Sequence, residues 1–486
     1  TQTLLHSLIQ DNDSPFIFEK IGTQLDHVMI DEFQDTSTIQ WKNFKVLLEE
    51  TMSREDAGNL IVGDVKQSIY RWRSGDWRLL NNIEQQFESI HHDIDIKTLD
   101  TNYRSDRNVV SFNNAFFVEA ARLEYDALKD NTPEEAQQLK NAYADVEQKV
   151  PDSKPTQGYV KVELIKNPKN EDQNERMMQL CLDTVNELTA KGMPTNRIAI
   201  LVRTNGQIQN IAEYFMNHSD YEMVSDEAFR LDASQAVNTL VAALRHLLHP
   251  DDAITKATLQ KYINTYLSEE GSTTSEDSTG SKIDFFNENR QQLLEMPLYD
   301  LVERIFNELK MGEIEDMKQQ SAYVCAFYDK LNAFLVDNSS DIEAFLQEWD
   351  NELYKKSIHS DSEDGIRMLT VHKSKGLEYD TVIMPYCDWQ LEKSNTTIWC
   401  TPQEAPYNEL PLVPIDFSAG MMLQSVYEPD YYSEHLQNMV DNLNLLYVAF
   451  TRASHNLYVF GKRGYAGSRS CIIEKALPKV AEVLGK

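Results

Sequence analysis

Short apolar segments rich in β-branched residues, each closed by a polar or glycine turn, return along the chain. "NLIVG" (59–63) and "IKTL" (96–99) read as buried strands flanking a helical stretch near "WRLLNNIEQQFESI". "RIAILVR" (197–203), "MLTVH" (368–372), "TVIMP" (381–385) and "NLYVFG" (456–461) repeat the pattern later in the chain. Runs apolar on both faces suit strands covered on both sides, and strand–helix alternation builds a parallel sheet. The expected fold class is therefore α/β, with two such domains.

Between about residues 236 and 360 the period becomes helical. "VNTLVAALRHLL" and "LYDLVERIFNEL" place apolar residues at i, i+3, i+4 and i+7, which predicts an all-helical insertion. Within it, "SEEGSTTSEDSTGSK" (268–282) is too polar to bury surface and is expected to be a mobile loop. Residues 128–155 read as a charged helix ending in a proline-bounded loop.

A chain of 486 residues exceeds a single ordinary core. No apolar run approaches the roughly 18 residues that a membrane span needs. The five cysteines, Cys181, Cys325, Cys387, Cys400 and Cys471, lack CxxC spacing. That argues against zinc, an iron–sulfur cluster or a secreted disulfide framework, and makes a reducing cytoplasm the expected location. The chain opens at Thr1 with neither an initiator Met nor a signal-peptide pattern, so it is expected to have been cut from something longer.

A net charge of −32 argues against a simple basic nucleic-acid binder. Any DNA contact must be local, and residues 66–107 are the expected place, where Lys66, Arg71, Arg73, Arg78, Arg104 and Arg107 cluster.

Two stretches carry candidate chemistry. "DHVMIDEFQDTS" (26–37) runs from an apolar segment into Asp31, Glu32 and Asp35, with Gln34 between them. A solvated acidic turn is the ordinary explanation. A magnesium site is the sharper one, because a hard cation takes oxygen ligands and carboxylates at the carboxyl end of a parallel strand face the nucleotide crevice of an α/β sheet. "VGDVKQSIYRWRSGDW" (62–77) puts Gln67 after a strand and a glycine turn, and alternates Tyr70 and Trp72 with Arg71 and Arg73. Rings stack on bases for about 1–3 kcal/mol each while guanidiniums hold the backbone, which suits single-stranded nucleic acid. Standing alone, the same aromatics could equally be core.

"LDTNYRSD" (99–106), "RMLTVHKSKGLEYDTVIMP" (367–385) and "NLLYVAFTRASHNL" (444–457) follow in order. With the first two stretches they resemble, motif by motif, the UvrD/Rep/PcrA helicases of superfamily 1. "GYVKVELI", "MPLYDLVERIF" and "VSDEAF" look more like the AddA/RecB recombination helicases within that family. The resemblance implies two RecA-like motor domains. Residues 1–97 would be the carboxyl-terminal part of the first. Residues 98–240 would open the second, with a helical insertion near 120–155. Residues 241–362 would be a helical insertion subdomain, and 363–486 the remainder of the second motor.

It also implies roles. Asp31 would hold magnesium through its water shell, and Glu32 would polarise the water attacking the γ-phosphate of ATP. Gln67 would sense that phosphate. Arg104 and Arg452 would be arginine fingers. Tyr103 would stack on adenine, Gly376 would lie near the γ-phosphate, and Glu378 would accept a hydrogen bond from the ribose. Tyr70, Trp72, Arg73, Thr370 and His372 would line a track for single-stranded DNA. Taken singly each has a plainer structural explanation, and Arg203 in "LVRTN" stays with it. The activity implied is ATP-driven 3′ to 5′ movement on single-stranded DNA with duplex unwinding, in repair or recombination. A nuclease subunit or appended nuclease domain is the implied partner, and no membrane is involved.

Two departures stand out. The glycine-rich phosphate loop GxxxxGK[ST] is absent from all 486 residues, and only about 30 residues precede "DEFQDT". Where relatives carry paired glutamates before "LLYVAFTRA", this chain has Asp441 and Asn442. No nuclease module follows the last motif. The expectation is a fragment of an active helicase, itself without ATPase activity. The alternative is a natural scaffold that binds DNA without hydrolysing ATP, but the retained Asp31, Glu32, Gln67, Arg104 and Arg452 weigh against it. A metal nuclease using the acidic tip lacks the carboxylate-x-lysine companion it would need.

Overall fold

The computed structural model describes residues 25–52, 58–87, 94–166, 173–225, 230–266, 276–313, 320–356, 365–392, 396–405 and 407–485. These divide into two compact units, one from Thr1–Arg203 with Thr370–Lys486 and one from Thr204–Leu369.

In the first unit, Met29–Ile30 and Leu60–Ile61 form a short parallel pair, with Met29 opposite Leu60 and Ile30 opposite Ile61. The ladder continues on both sides: Leu60 N–H donates to Val28 O at 2.9 Å and Phe33 N–H to Val62 O at 3.0 Å. The pair sits over a small core of Phe33, Trp41, Leu48, Leu79 and Phe87. Phe33 and Trp41 meet edge to face at 5.0 Å, a geometry that the ring quadrupoles favour. Trp41 comes from the helix Thr38–Met52, and its indole N–H donates to Gln86 at 2.8 Å.

The larger sheet of this unit is all parallel. Tyr159–Ile165 pairs with Ala453–Lys462, which pairs with Tyr379–Met384, which pairs with Ile198–Val202. Val459 lies opposite both Val162 and Met384, and Ile200 opposite Ile383. All five residues of Ile198–Val202 are buried, as a continuous apolar run in a covered parallel strand should be. Three helices cover the aromatic centre: Arg107–Leu128, the long Glu428–Phe450 and Arg469–Val483. Phe116, Phe117, Tyr447 and Phe450 pack there with ring centroids 5.0–5.7 Å apart. The buried pair of Arg469 and Glu124, at 2.8 Å, ties the last helix to Arg107–Leu128.

The second unit is mostly helical. Asn205–His218 begins with a capping box in which Thr204 and Gln207 satisfy each other's backbone N–H groups. Gln235–Leu248, Leu298–Glu308, Ser321–Asp337 and Ile342–Asn351 enclose a core that includes Leu240, Leu244, Leu301, Phe327, Phe345 and Trp349. A short parallel pair, Met223–Val224 with Ile366–Arg367, also belongs to this unit. Among the described residues no helix is long and apolar enough to cross a membrane.

Several sequence expectations need correction. "IKTL" is not a buried strand: Ile96 is 57% and Leu99 86% exposed, and residues 94–100 carry no strand. Its alternation puts one apolar and one polar residue on each face, so neither face can be buried. "WRLLNNIEQQFESI" breaks into the short helix Arg78–Asn81 and a 3-10 turn Glu84–Phe87, and residues 88–90 lie outside the described residues. The strand before His372 is Ile366–Thr370, and Val371–Ser374 has already turned helical. Of the expected mobile loop, 268–275 lies outside the described residues. Glu276 onward is helix, continuing to Glu288, because Ile283 and Phe286 three residues apart anchor it in the helical core. In "VSDEAF", residues 226–229 are also outside the described residues.

Candidate active site

The acidic stretch turns out of the Met29–Ile30 strand through a strained residue. Glu32 has φ 51°, in the left-handed region that costs a non-glycine residue of the order of 1 kcal/mol. The turn is held by Asp35 N–H donating to Glu32 O at 3.0 Å and by Glu32 N–H donating to the Asp31 carboxylate at 2.8 Å. Strain so firmly pinned is characteristic of functional turns. Asp31 and Glu32 are both exposed there.

Gln34 locks this turn to the next motif. Its side chain is buried, with Nε2 donating to Glu32 Oε2 at 2.6 Å and Oε1 accepting Asp64 N–H at 3.0 Å. A Cβ at Gly63 would fall 2.6 Å from Gln34 Oε1 and 2.9 Å from Leu80, so only glycine allows this approach. Gln67 lies on the following 3-10 turn, its amide donating to Asp64 Oδ2 at 3.0 Å.

The stretch from His372 to Glu378 meets the proposed site from the other side. Lys375, which sequence reading passed over, is almost wholly buried and contacts Asp35 at 2.5 Å and Glu32 at 3.0 Å. Burial raises the Asp35 carboxyl above its ordinary range, and Lys375 offsets part of that rise. Arg452 Nη1 donates to Leu377 O at 3.1 Å and its Nε to Val448 O at 2.9 Å. Burial, then the neighbouring Arg104, pulls the Arg452 guanidinium down to about 10, with the Glu32 charge among the opposing influences. Arg104 donates to Glu378 at 3.0 Å and to Thr451 O at 3.3 Å. Arg104, Arg452 and Glu378 therefore meet around Thr451. Tyr103 is 77% exposed, and Gly376 has φ 82° with open space around it.

The aromatic residues also cluster. Tyr70, Trp72 and His372 form a triangle with ring centroids 6.0–6.3 Å apart. Tyr70 Oη donates to His372 O at 3.0 Å. Trp72 is 64% exposed, and the Arg73 guanidinium lies 4.5 Å from its ring. Burial, with Arg203 and Arg73 adding, pulls the His372 imidazole down to about 4, so it is neutral at pH 7. Thr370, by contrast, is buried just before the turn Val371–Ser374.

The expected basic cluster is largely neutralised. Lys66 is buried between Asp64 and Asp145, Arg71 binds Glu434, Asn438 and Asp441, Arg78 binds Asp76, and Arg107 donates to Pro151 O and Lys154 O. Among the described residues no carboxylate pairs with Arg73, which leaves the aromatics as its neighbours.

The departures at 441 and 442 also acquire partners. Asp441 takes Arg71, and burial pushes its carboxyl up to about 6. Asn442 accepts the Trp389 indole N–H at 2.6 Å and donates to Asn438 O at 2.7 Å. Asn444, fully buried, accepts from Tyr143 at 2.6 Å and donates to Val65 O at 2.9 Å and Ser68 O at 2.8 Å, stitching the Gln67 turn to the long helix. No local period encodes bonds spanning about 300 to 380 residues.

Parallel strands with an acidic turn at a strand end, answered by cations from a distant segment, make this an α/β chain with a nucleotide-type crevice at that turn. The chain belongs to the UvrD-like helicase family: the model for the UvrD-like helicase C-terminal domain matches residues 97–463 and that for the UvrD/REP helicase N-terminal domain residues 2–88. It is similar to the AddA ATP-dependent helicase/nuclease subunit of Listeria monocytogenes serotype 4b (strain F2365), 26% identical over 78% of this chain and 35% of the relative. The protein of the same name from Streptococcus agalactiae serotype III (strain NEM316) is 24% identical over 90% of this chain and 40% of the relative. The exonuclease/helicase subunit RexA of Lactococcus lactis subsp. cremoris (strain MG1363) is 25% identical over 93% and 41%. The chain thus spans well under half the length of these relatives.

Proposed function

We propose that the full-length protein is an ATP-dependent DNA helicase or translocase of the UvrD type, working in cytoplasmic DNA repair or recombination beside a nuclease subunit or domain. It moves 3′ to 5′ along single-stranded DNA and unwinds duplex. Residues 1–97 and 98–486 contribute to two motor domains, with 241–362 as a helical subdomain inserted in the second.

One observation carries the reading. Residues 372–378 touch both the aromatic triangle, through His372, and the acidic turn, through Lys375; Leu377 O and Glu378 in turn receive Arg452 and Arg104. A strand on the rings and a phosphate at the carboxylates would bear on one short segment.

Asp31 is the residue that would hold magnesium: it is exposed, and this ion is usually held by one or two carboxylates plus substrate phosphates, so it needs no ready-made cage of three or more ligands, which the described residues do not form. When bound, magnesium would neutralise charge on the phosphates. Glu32 polarises the attacking water and accepts its proton, and Gln67 senses the γ-phosphate. Arg104 and Arg452 oppose the charge that develops in the transition state, once Arg104 leaves Glu378 for the phosphate. Glu378 then serves the ribose, and Tyr103 the base.

No GxxxxGK[ST] run occurs among the 486 residues, so these residues alone are expected to hydrolyse ATP negligibly. Steady-state hydrolysis by the full-length protein, with and without oligo(dT), tests the reading. Stimulation of about tenfold or more, equivalent to ~1.4 kcal/mol of coupling, is expected. Hydrolysis indifferent to the strand would contradict it.

A further inference from the structure

We propose that Lys375 is a positioning residue that links the water-activating carboxylate Glu32 to the strand-stacking ring of Tyr70, so that an occupied track sets the geometry of hydrolysis. The inference rests on the function proposed above and assigns that coupling to one side chain.

Lys375 has three neighbours of two kinds. Its ammonium contacts Asp35 at 2.5 Å and Glu32 at 3.0 Å, and stands 5.4 Å from the centre of the Tyr70 ring. A buried lysine that merely neutralised a carboxylate would need neither the second carboxylate nor the ring. The Glu32 oxygen it touches is Oε2, the same one that receives the Gln34 amide, so Oε1 carries neither bond. Lys375 and Gln34 together fix the carboxylate's rotation.

The other end is tied to the track. Tyr70 donates to His372 O, three residues before Lys375, and its ring is packed near Trp72 and His372. A base stacking on Trp72 would press on rings only 6.0–6.3 Å apart, and Tyr70 presents its π face to the ammonium. Lys375 cannot swing away cheaply, because Asp35 Oδ1 is buried without a partner and losing Lys375 would strand the whole carboxylate. Ring, ammonium and both carboxylates must shift together.

The test uses the full-length protein and oligo(dT). Lys375→Met is expected to cut the strand stimulation of ATP hydrolysis by about tenfold while oligo(dT) affinity changes less than about threefold, a split that general loss of structure does not produce. Lys375→Arg, which keeps the cation, should recover part of the stimulation. Because Lys375→Met leaves Asp35 uncompensated, the double variant Lys375→Met with Asp35→Asn removes the stranded charge and should lose stimulation equally while melting like the parent. Undiminished stimulation in either folded variant overturns the role of Lys375 alone. A parent protein whose hydrolysis ignores the strand removes the helicase reading itself.

Discussion

Glu32→Gln in the full-length protein is expected to lower ATP turnover by about 10²–10⁴-fold with nucleotide affinity nearly unchanged, since a positioned general base contributes on that order. The amide matches the carboxylate in size but cannot take the proton of the attacking water. Little else should suffer. The Glu32 side chain is half exposed, and its backbone conformation is set by the Phe33 and Asp35 amide bonds rather than by the carboxylate. The glutamine amide oxygen can still accept from Gln34, and Lys375 keeps its other carboxylate, Asp35, so the variant is expected to stay folded. Rapid-quench turnover together with equilibrium nucleotide binding separates the two quantities. Turnover within about twofold of the parent would remove Glu32 from the chemistry.

Arg104→Ala carries the second large effect, an expected fall of about 10³–10⁵-fold in kcat, the range that arginine fingers supply. Arg104 suits the task better than its partner. Its guanidinium lies against Glu378 at the surface, while Arg452 is buried and bonded to the carbonyls of Val448 and Leu377. Arg104 can exchange an exposed carboxylate for a phosphate at small cost. Arg452 is held in place by backbone, and its removal would also take away one donor from each of those carbonyls. The loss should appear in kcat far more than in KM, because the developing charge is felt in the transition state. Arg104→Lys should recover only part of the rate, since an ammonium lacks the planar fork. Equal rates for parent and Arg104→Ala would contradict the finger.

Much of the framework was legible because it is local. The buried run Ile198–Val202, the strand Ala453–Lys462 and the helix Gln235–Leu248 follow from period and residue type. "IKTL" carries a polar residue on each face, and four residues say nothing about whether a partner strand exists. The acidic turn and the aromatic pair were visible as motifs. Their wiring was not: Lys375 with Asp35, Arg104 with Glu378 and Asn444 with the Gln67 turn join residues 274 to 379 positions apart. Charge counting over residues 66–107 does not show which of their cations are paired, for the same reason. Whether an arginine is available depends on which carboxylate the fold brings to it, and Glu434 and Asp441 come to Arg71 from a helix more than 350 residues away.

If nucleotide and strand act on one shared segment, each must alter the affinity for the other. Anisotropy titration of labelled oligo(dT) with the full-length protein, with and without a non-hydrolysable ATP analogue and Mg2+, measures this directly. A change in strand affinity of about fivefold or more, ~1 kcal/mol of coupling, is expected, with the same factor recovered when the analogue is titrated against saturating strand. Identical strand affinities in the two conditions, with the analogue demonstrably bound, would contradict it.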